Sequence, residues 1–182
     1  MNVSMLKPYN KQDVKLSGLP KMILKPNDCT RIRAWCEKHF DEHRSPPPPP
    51  GQTLYTKENS HTLIWESPEL DALWPTHCQQ SMKPGTHRVQ IVLMPPATFM
   101  PPHIDGHGAY RRYFGIDSSV PVHRIWCSLT EPDLGHVLMF DHHVYYNMPM
   151  GHCVRLPQGV EHSGVNAGWN NRWIAVCDGQ TL

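Results

Sequence analysis

From His87 to the C-terminus the chain breaks into short β-branched and apolar runs, HRVQIVLM, ATFMPPHID, VHRIWCSL, HVLMF, HVYYNM, HCVRLP, EHSGVNA and RWIAVCD, punctuated by Pro, Gly and Asp. None is long enough for a helix with a buried stripe. About eight such runs in roughly ninety residues is the spacing of an antiparallel sandwich or barrel, not of alternating strands and helices. No repeat of about 20 to 50 residues underlies them. The one long connection, GHGAYRRYFGIDSSV at 106–120, has the length at which connections in compact domains act as lids or binding loops.

Upstream the pattern is mixed. Residues 28–41 place Ile32, Trp35, Cys36 and Phe40 at helical spacing, with Asn27 or Asp28 as the cap. Residues 67–74, SPELDALW, carry a Ser cap and Pro at the first helical position, and end before Pro75. Pro46–Pro50 is a stiff extended spacer or an exposed loop, because proline disfavours helix in the residue before it. The organisation expected is one domain: residues 1–86 as a helical and extended flank packed on a barrel core of residues 87–182.

Charge excludes some partners. Lys plus Arg number 17 and Asp plus Glu 16, so no overall field draws the protein to nucleic acid or an acidic membrane. The N-terminus lacks an apolar leader core, and the most apolar stretch, IVLMPPATFMPP, is short and proline-broken. The six cysteines form no C-x-x-C, and Cys127, Cys153 and Cys177 sit in apolar runs where a reduced thiol packs as a small hydrophobe. A reducing cytoplasm is the compartment these signals favour. Thirteen histidines in a β-rich chain point to metal, since neutral imidazole is the commonest metal ligand.

His103 and Asp105 stand one residue apart in a strand-like segment, so both side chains leave the same face and can converge on one ion. H-x-D alone is weak: His39 and Asp41 repeat it in the helical segment, where that spacing points the side chains apart. A more specific pattern follows. Gly151, Pro157, Gly159, His162 and Asn166 fit G-x5-P-x-G-x2-H-x3-N, a tight turn that ends one strand before the next presents His162. Two imidazoles and one carboxylate with other coordination positions open form the facial triad of non-haem Fe(II) oxygenases. A structural zinc site would be closed by four protein ligands.

The Gly151–Asn166 segment resembles the second motif of the cupin family, whose corresponding histidine is a metal ligand. The tail from His162 through Asn166 and Arg172 to Asp178 resembles the aspartyl/asparaginyl β-hydroxylase family of 2-oxoglutarate oxygenases. The resemblance covers roughly residues 87–178. It implies a mainly β double-stranded β-helix, the cupin or jelly-roll barrel, with flanking N-terminal helices. It also implies a metal site of His103, Asp105 and His162 holding Fe(II), with 2-oxoglutarate and O2 as co-substrates. Arg172 would grip the distal carboxylate of 2-oxoglutarate, a task suited to a fork of guanidinium donors. Arg124, in a strand similar to the family's R-x-H-L, would help hold the co-substrate, although Trp126 replaces that histidine.

The activity so implied is hydroxylation of an unactivated C–H bond, on a small molecule or a protein side chain of Asp/Asn type. Tyr110, Arg111, Arg112 and Tyr113 follow the H-x-D segment and are candidates to grip substrate; His107 is a candidate spare ligand or gate. Two other classes stay open: a metal-dependent cupin dioxygenase or isomerase that does not use 2-oxoglutarate, and a non-catalytic cupin module. Oligomeric state is not legible in these residues.

Overall fold

The computed structural model describes residues 24–44, 62–79, 82–140, 143–156 and 158–181. The polyproline run and Pro157 of the turn motif lie outside them. All eight expected strands form: β2 (Arg88–Met94), β3 (Thr98–His103), β4 (Val122–Ser128), β5 (His136–Phe140), β6 (His143–Tyr146), β7 (Cys153–Leu156), β8 (His162–Asn166) and β9 (Arg172–Gln180). A further strand, β1 (Leu63–Glu66), precedes them. They build two antiparallel sheets, ordered β1-β2-β9-β4-β7 and β3-β8-β5-β6. Strands β2 to β9 alternate between the sheets, except that β5 and β6 form a hairpin within one of them, in the winding of a double-stranded β-helix, as expected.

The central strands are buried on both faces, which explains their unbroken apolar runs. On β9, Trp173, Ala175 and Cys177 face an outer core shared with Ile32 and Cys36 of α1 (Pro26–Lys38) and Leu70 of α2 (Pro68–Leu73). Ile174 and Val176 point the other way, into an inner core with Met94, Trp126 and Leu138. Each large apolar side chain sealed in this way contributes about 1.5–3 kcal/mol. Trp65 of β1 stacks on Trp173 at 5.4 Å between ring centroids, tying the upstream segment to the sheet.

Local chemistry sets the helices. Ser67 caps α2 by accepting the Glu69 amide, with Pro68 at the first position, as the sequence requires. Helix α1 starts two residues before the expected boundary because Pro26 presets the first turn, which places Asp28 inside it; the helix ends at Lys38. The long connection at 106–120 is not irregular: it holds α3 (Gly108–Phe114), ended by Gly115 at φ +62° and by Arg111, which donates to the Asp117 and Val120 carbonyls. No helix among the described residues is long and apolar enough to cross a membrane.

One expectation is corrected. Cys127 and Cys153 are register partners on β4 and β7, their Cα atoms 4.2 Å apart and their sulfurs joined in a disulfide. Reading each run singly as a packing site for a thiol could not show that the two face each other. Cys177 is a buried free thiol, as expected, and so are Cys29, Cys36 and Cys78, outside the strand runs; burial pushes the thiols of Cys36 and Cys78 up to about 12.

Candidate metal centre

The site begins with a defect in the ladder. Pro101 and Pro102 cannot donate to β8, and the β3–β8 register slips between Met100 and His103. Past the slip His103 lies directly opposite His162, with ring centroids 4.3 Å apart. Asp105, two residues beyond the strand end, turns its carboxylate to both rings: Oδ1 is 3.8 Å from His103 Nε2, and Oδ2 is 3.1 Å from His162 Nε2. One donor atom from each of the three lies within 4.8 Å of the others. Cis ligands on bonds of about 2.1 Å would sit roughly 3 Å apart, so small side-chain adjustments close the set around an ion.

The donor chemistry fits a divalent metal. His103 Nδ1 lies 2.8 Å from the Pro101 carbonyl and His162 Nδ1 lies 3.1 Å from the Val160 carbonyl. Each Nδ1–H therefore donates to backbone, and each Nε2 lone pair is left for a ligand bond. Burial holds His103 below the usual imidazole range, toward the neutral form that binds metal. Burial alone would raise the Asp105 carboxyl, but the close approach of the His162 ring and the Arg124 charge hold it well below the usual carboxylate range. The three side chains that the sequence singled out thus meet as two imidazoles and one carboxylate.

The two arginines stand apart from each other. Arg124 is beside the triad but its guanidinium is already engaged: Nε and Nη2 bond Asp178 Oδ1 and Oδ2, both at 2.8 Å, and Nη1 bonds Asp105 Oδ2. Arg172 turns into the barrel, 2% exposed, where Nη1 donates to the Val137 and Val165 carbonyls at 2.6 and 2.7 Å and the guanidinium packs 5.0 Å from the Trp126 ring. Among the described residues it meets no carboxylate. Burial pushes it down to about 9, still charged at neutral pH.

A cavity of about 300 Å³ opens beside the triad, walled by Val92, Met94, Trp126, Leu138, Ile174 and Val176. Glu66 of β1 and Gln90 of β2 line it as well, hydrogen-bonded to each other. Of the four substrate candidates only Tyr110 lines the cavity, buried and donating to the Thr86 carbonyl. Arg111 finishes α3. Arg112 and Tyr113 lie off the cavity, Tyr113 61% exposed with the Arg88 guanidinium over its ring. His107, at φ +50°, faces Asp178, its Nδ1 3.4 Å from Oδ2, and is not part of the triad. Asp178 could have been assigned to the site from strand alternation, since it shares the inward parity of Arg172, Ile174 and Val176. Glu66 had no comparable signal, because a four-residue strand outside the main run carries none.

No protein-family model matches the chain, and no curated protein matches it. Solved structures do, and they are cupin-fold proteins. A prolyl-4-hydroxylase from Pseudomonas putida superposes with a TM-score of 0.54 at 14% identity, covering 90% of this chain and 91% of that one. A sugar phosphate isomerase of the cupin superfamily from Silicibacter pomeroyi gives 0.45 at 16% identity over 77% and 71% of the two chains. The Cnp3 cupin domain of Schizosaccharomyces pombe gives 0.42 at 11% identity, and this chain spans 64% of its length. The chain has the cupin fold, with a His-Asp-His group able to hold a metal.

Proposed function

We propose that this protein is an Fe(II)- and 2-oxoglutarate-dependent oxygenase that hydroxylates a C–H bond. The observation that carries the reading is Arg172, a buried guanidinium with no acidic partner among the described residues, inside the same barrel as a ready metal triad. A buried cation without a counterion is costly unless an anion completes it. When bound, the iron with 2-oxoglutarate and O2 would put one oxygen atom on the substrate carbon and the other in succinate, with release of CO2. The chain's own work is to present Nε2 of His103 and His162 and the Asp105 carboxylate to the metal, to anchor the distal carboxylate through the free edge of Arg172, and to exclude water with the Val92, Leu138 and Ile174 walls. The acidic side chains on the cavity, Glu66, Asp105 and Asp178, are each paired with an arginine. They favour a neutral C–H-bearing group over an aspartate side chain.

A second reading, a metal-dependent cupin enzyme without 2-oxoglutarate, is favoured by one feature: Trp126, not Arg172, forms the cavity wall where they pack together. Anaerobic titration of the Fe(II) protein with 2-oxoglutarate separates them. A visible metal-to-ligand charge-transfer band supports the first reading; metal binding without the band supports the second.

A further inference from the structure

We propose that Asp178 and Arg124 form a charged brace that positions the Asp105 carboxylate for the metal, an inference that rests on the metal-centre reading of the triad. Asp105 lies beyond the end of β3, in a stretch without ladder pairing that begins at the exposed Ile104. Its side-chain partners among the described residues are His103, His162 and Arg124. The first two are themselves metal ligands. Arg124 is therefore the one partner that holds the carboxylate both before and after an ion arrives.

The brace is anchored in the interior of the larger sheet. Arg124 and Asp178 are register partners on β4 and β9, two inner strands of the five-stranded sheet. One planar edge of the guanidinium is fixed by Asp178 through two bonds of 2.8 Å, and the third nitrogen reaches across to Oδ2 of Asp105. Because the fork is rigid, fixing one edge aims the other. Oδ1 is left facing His103, and the two carboxylates outweigh the one guanidinium, so the cluster is negative and ready for a cation. His107 bears on the far side of Asp178 at 3.4 Å. The arrangement also explains why Arg124 is not open to a co-substrate. Partners that orient metal ligands are typically worth about 10–100-fold in metal affinity.

Co(II) binding to the full chain, followed by calorimetry and by the visible Co(II) spectrum, tests the brace. The double variant Arg124→Met with Asp178→Leu removes both charges together, so neither is left buried alone. It should bind Co(II) about 10–100-fold more weakly, with an altered spectrum. Added to Asp105→Ala, the same pair of changes should cost nothing further, because the brace acts only through that carboxylate. Arg124→Lys keeps the charge but not the fork and should also weaken binding. Undiminished Co(II) affinity in either variant, or an equal fold-loss in the Asp105→Ala background, overturns the proposal. Failure of the unaltered protein to bind Co(II) overturns the metal-centre reading itself, and the brace with it.

Discussion

Replacing Arg172 by Met probes the site where it is most distinctive. The side chain commits Nη1 to two carbonyls and leaves the Nε and Nη2 edge without a partner among the described residues. That edge presents two donors in the spacing of a carboxylate. Hydrogen bonds to a charged group are worth about 1.5–3 kcal/mol each. Removing two should cost about 3–6 kcal/mol of 2-oxoglutarate binding, or roughly 10²- to 10⁴-fold in Kd. The triad is untouched, so Fe(II) affinity should stay unchanged. The assay is an anaerobic titration of the Fe(II)-loaded protein with 2-oxoglutarate, read at the charge-transfer band beside a separate metal isotherm. Arg172→Lys should lie between, since an ammonium offers charge without the fork. Since Arg172→Met also strips partners from the Val137 and Val165 carbonyls, urea unfolding is measured in parallel to keep the stability loss apart. Wild-type 2-oxoglutarate affinity in a folded Arg172→Met protein would refute the assignment.

Divalent metal at about a hundred times its Kd should stabilise the native state by about 2.7 kcal/mol, raising Tm by roughly 5–11 °C; His162→Ala should abolish the shift in a calorimetric scan. Burial lowers His123 to about 4, and its Nε2 has no hydrogen-bond partner among the described residues. Because the unfolded chain takes up the proton first, its contribution is full above about 6.5 and is lost as pH falls toward 4, reaching about 2 kcal/mol by pH 5; urea unfolding of His123→Gln should show a correspondingly flatter acid limb, and parallel limbs would disprove this. Asn166, fully buried, donates to the Met94 and Asn170 carbonyls and accepts from the Gly168 amide. Asn166→Ala should cost roughly 3 kcal/mol of stability with Co(II) affinity unchanged, which assigns that motif position to the fold and not to the metal.

Local patterning in the sequence determined the elements of this protein: the eight strands from Arg88 onward, the Ser67 cap, and the three side chains of the candidate metal centre. Strand period and turn chemistry act over a few residues, so strands and caps are legible locally; Asp105, past the end of β3, is turned toward the imidazoles by contacts from distant strands. Tertiary structure alone decided what those elements face. The Cys127–Cys153 pairing depends on β4 lying against β7. Glu66 reaches the cavity because β1 adds to the edge of β2. Arg124 is taken up by Asp178 because β4 and β9, far apart in the chain, become neighbours in register, and Arg172 loses the cavity wall to Trp126 by the same packing. Such partners are set by how two sheets close on each other, a property of the whole chain that no short stretch of residues encodes.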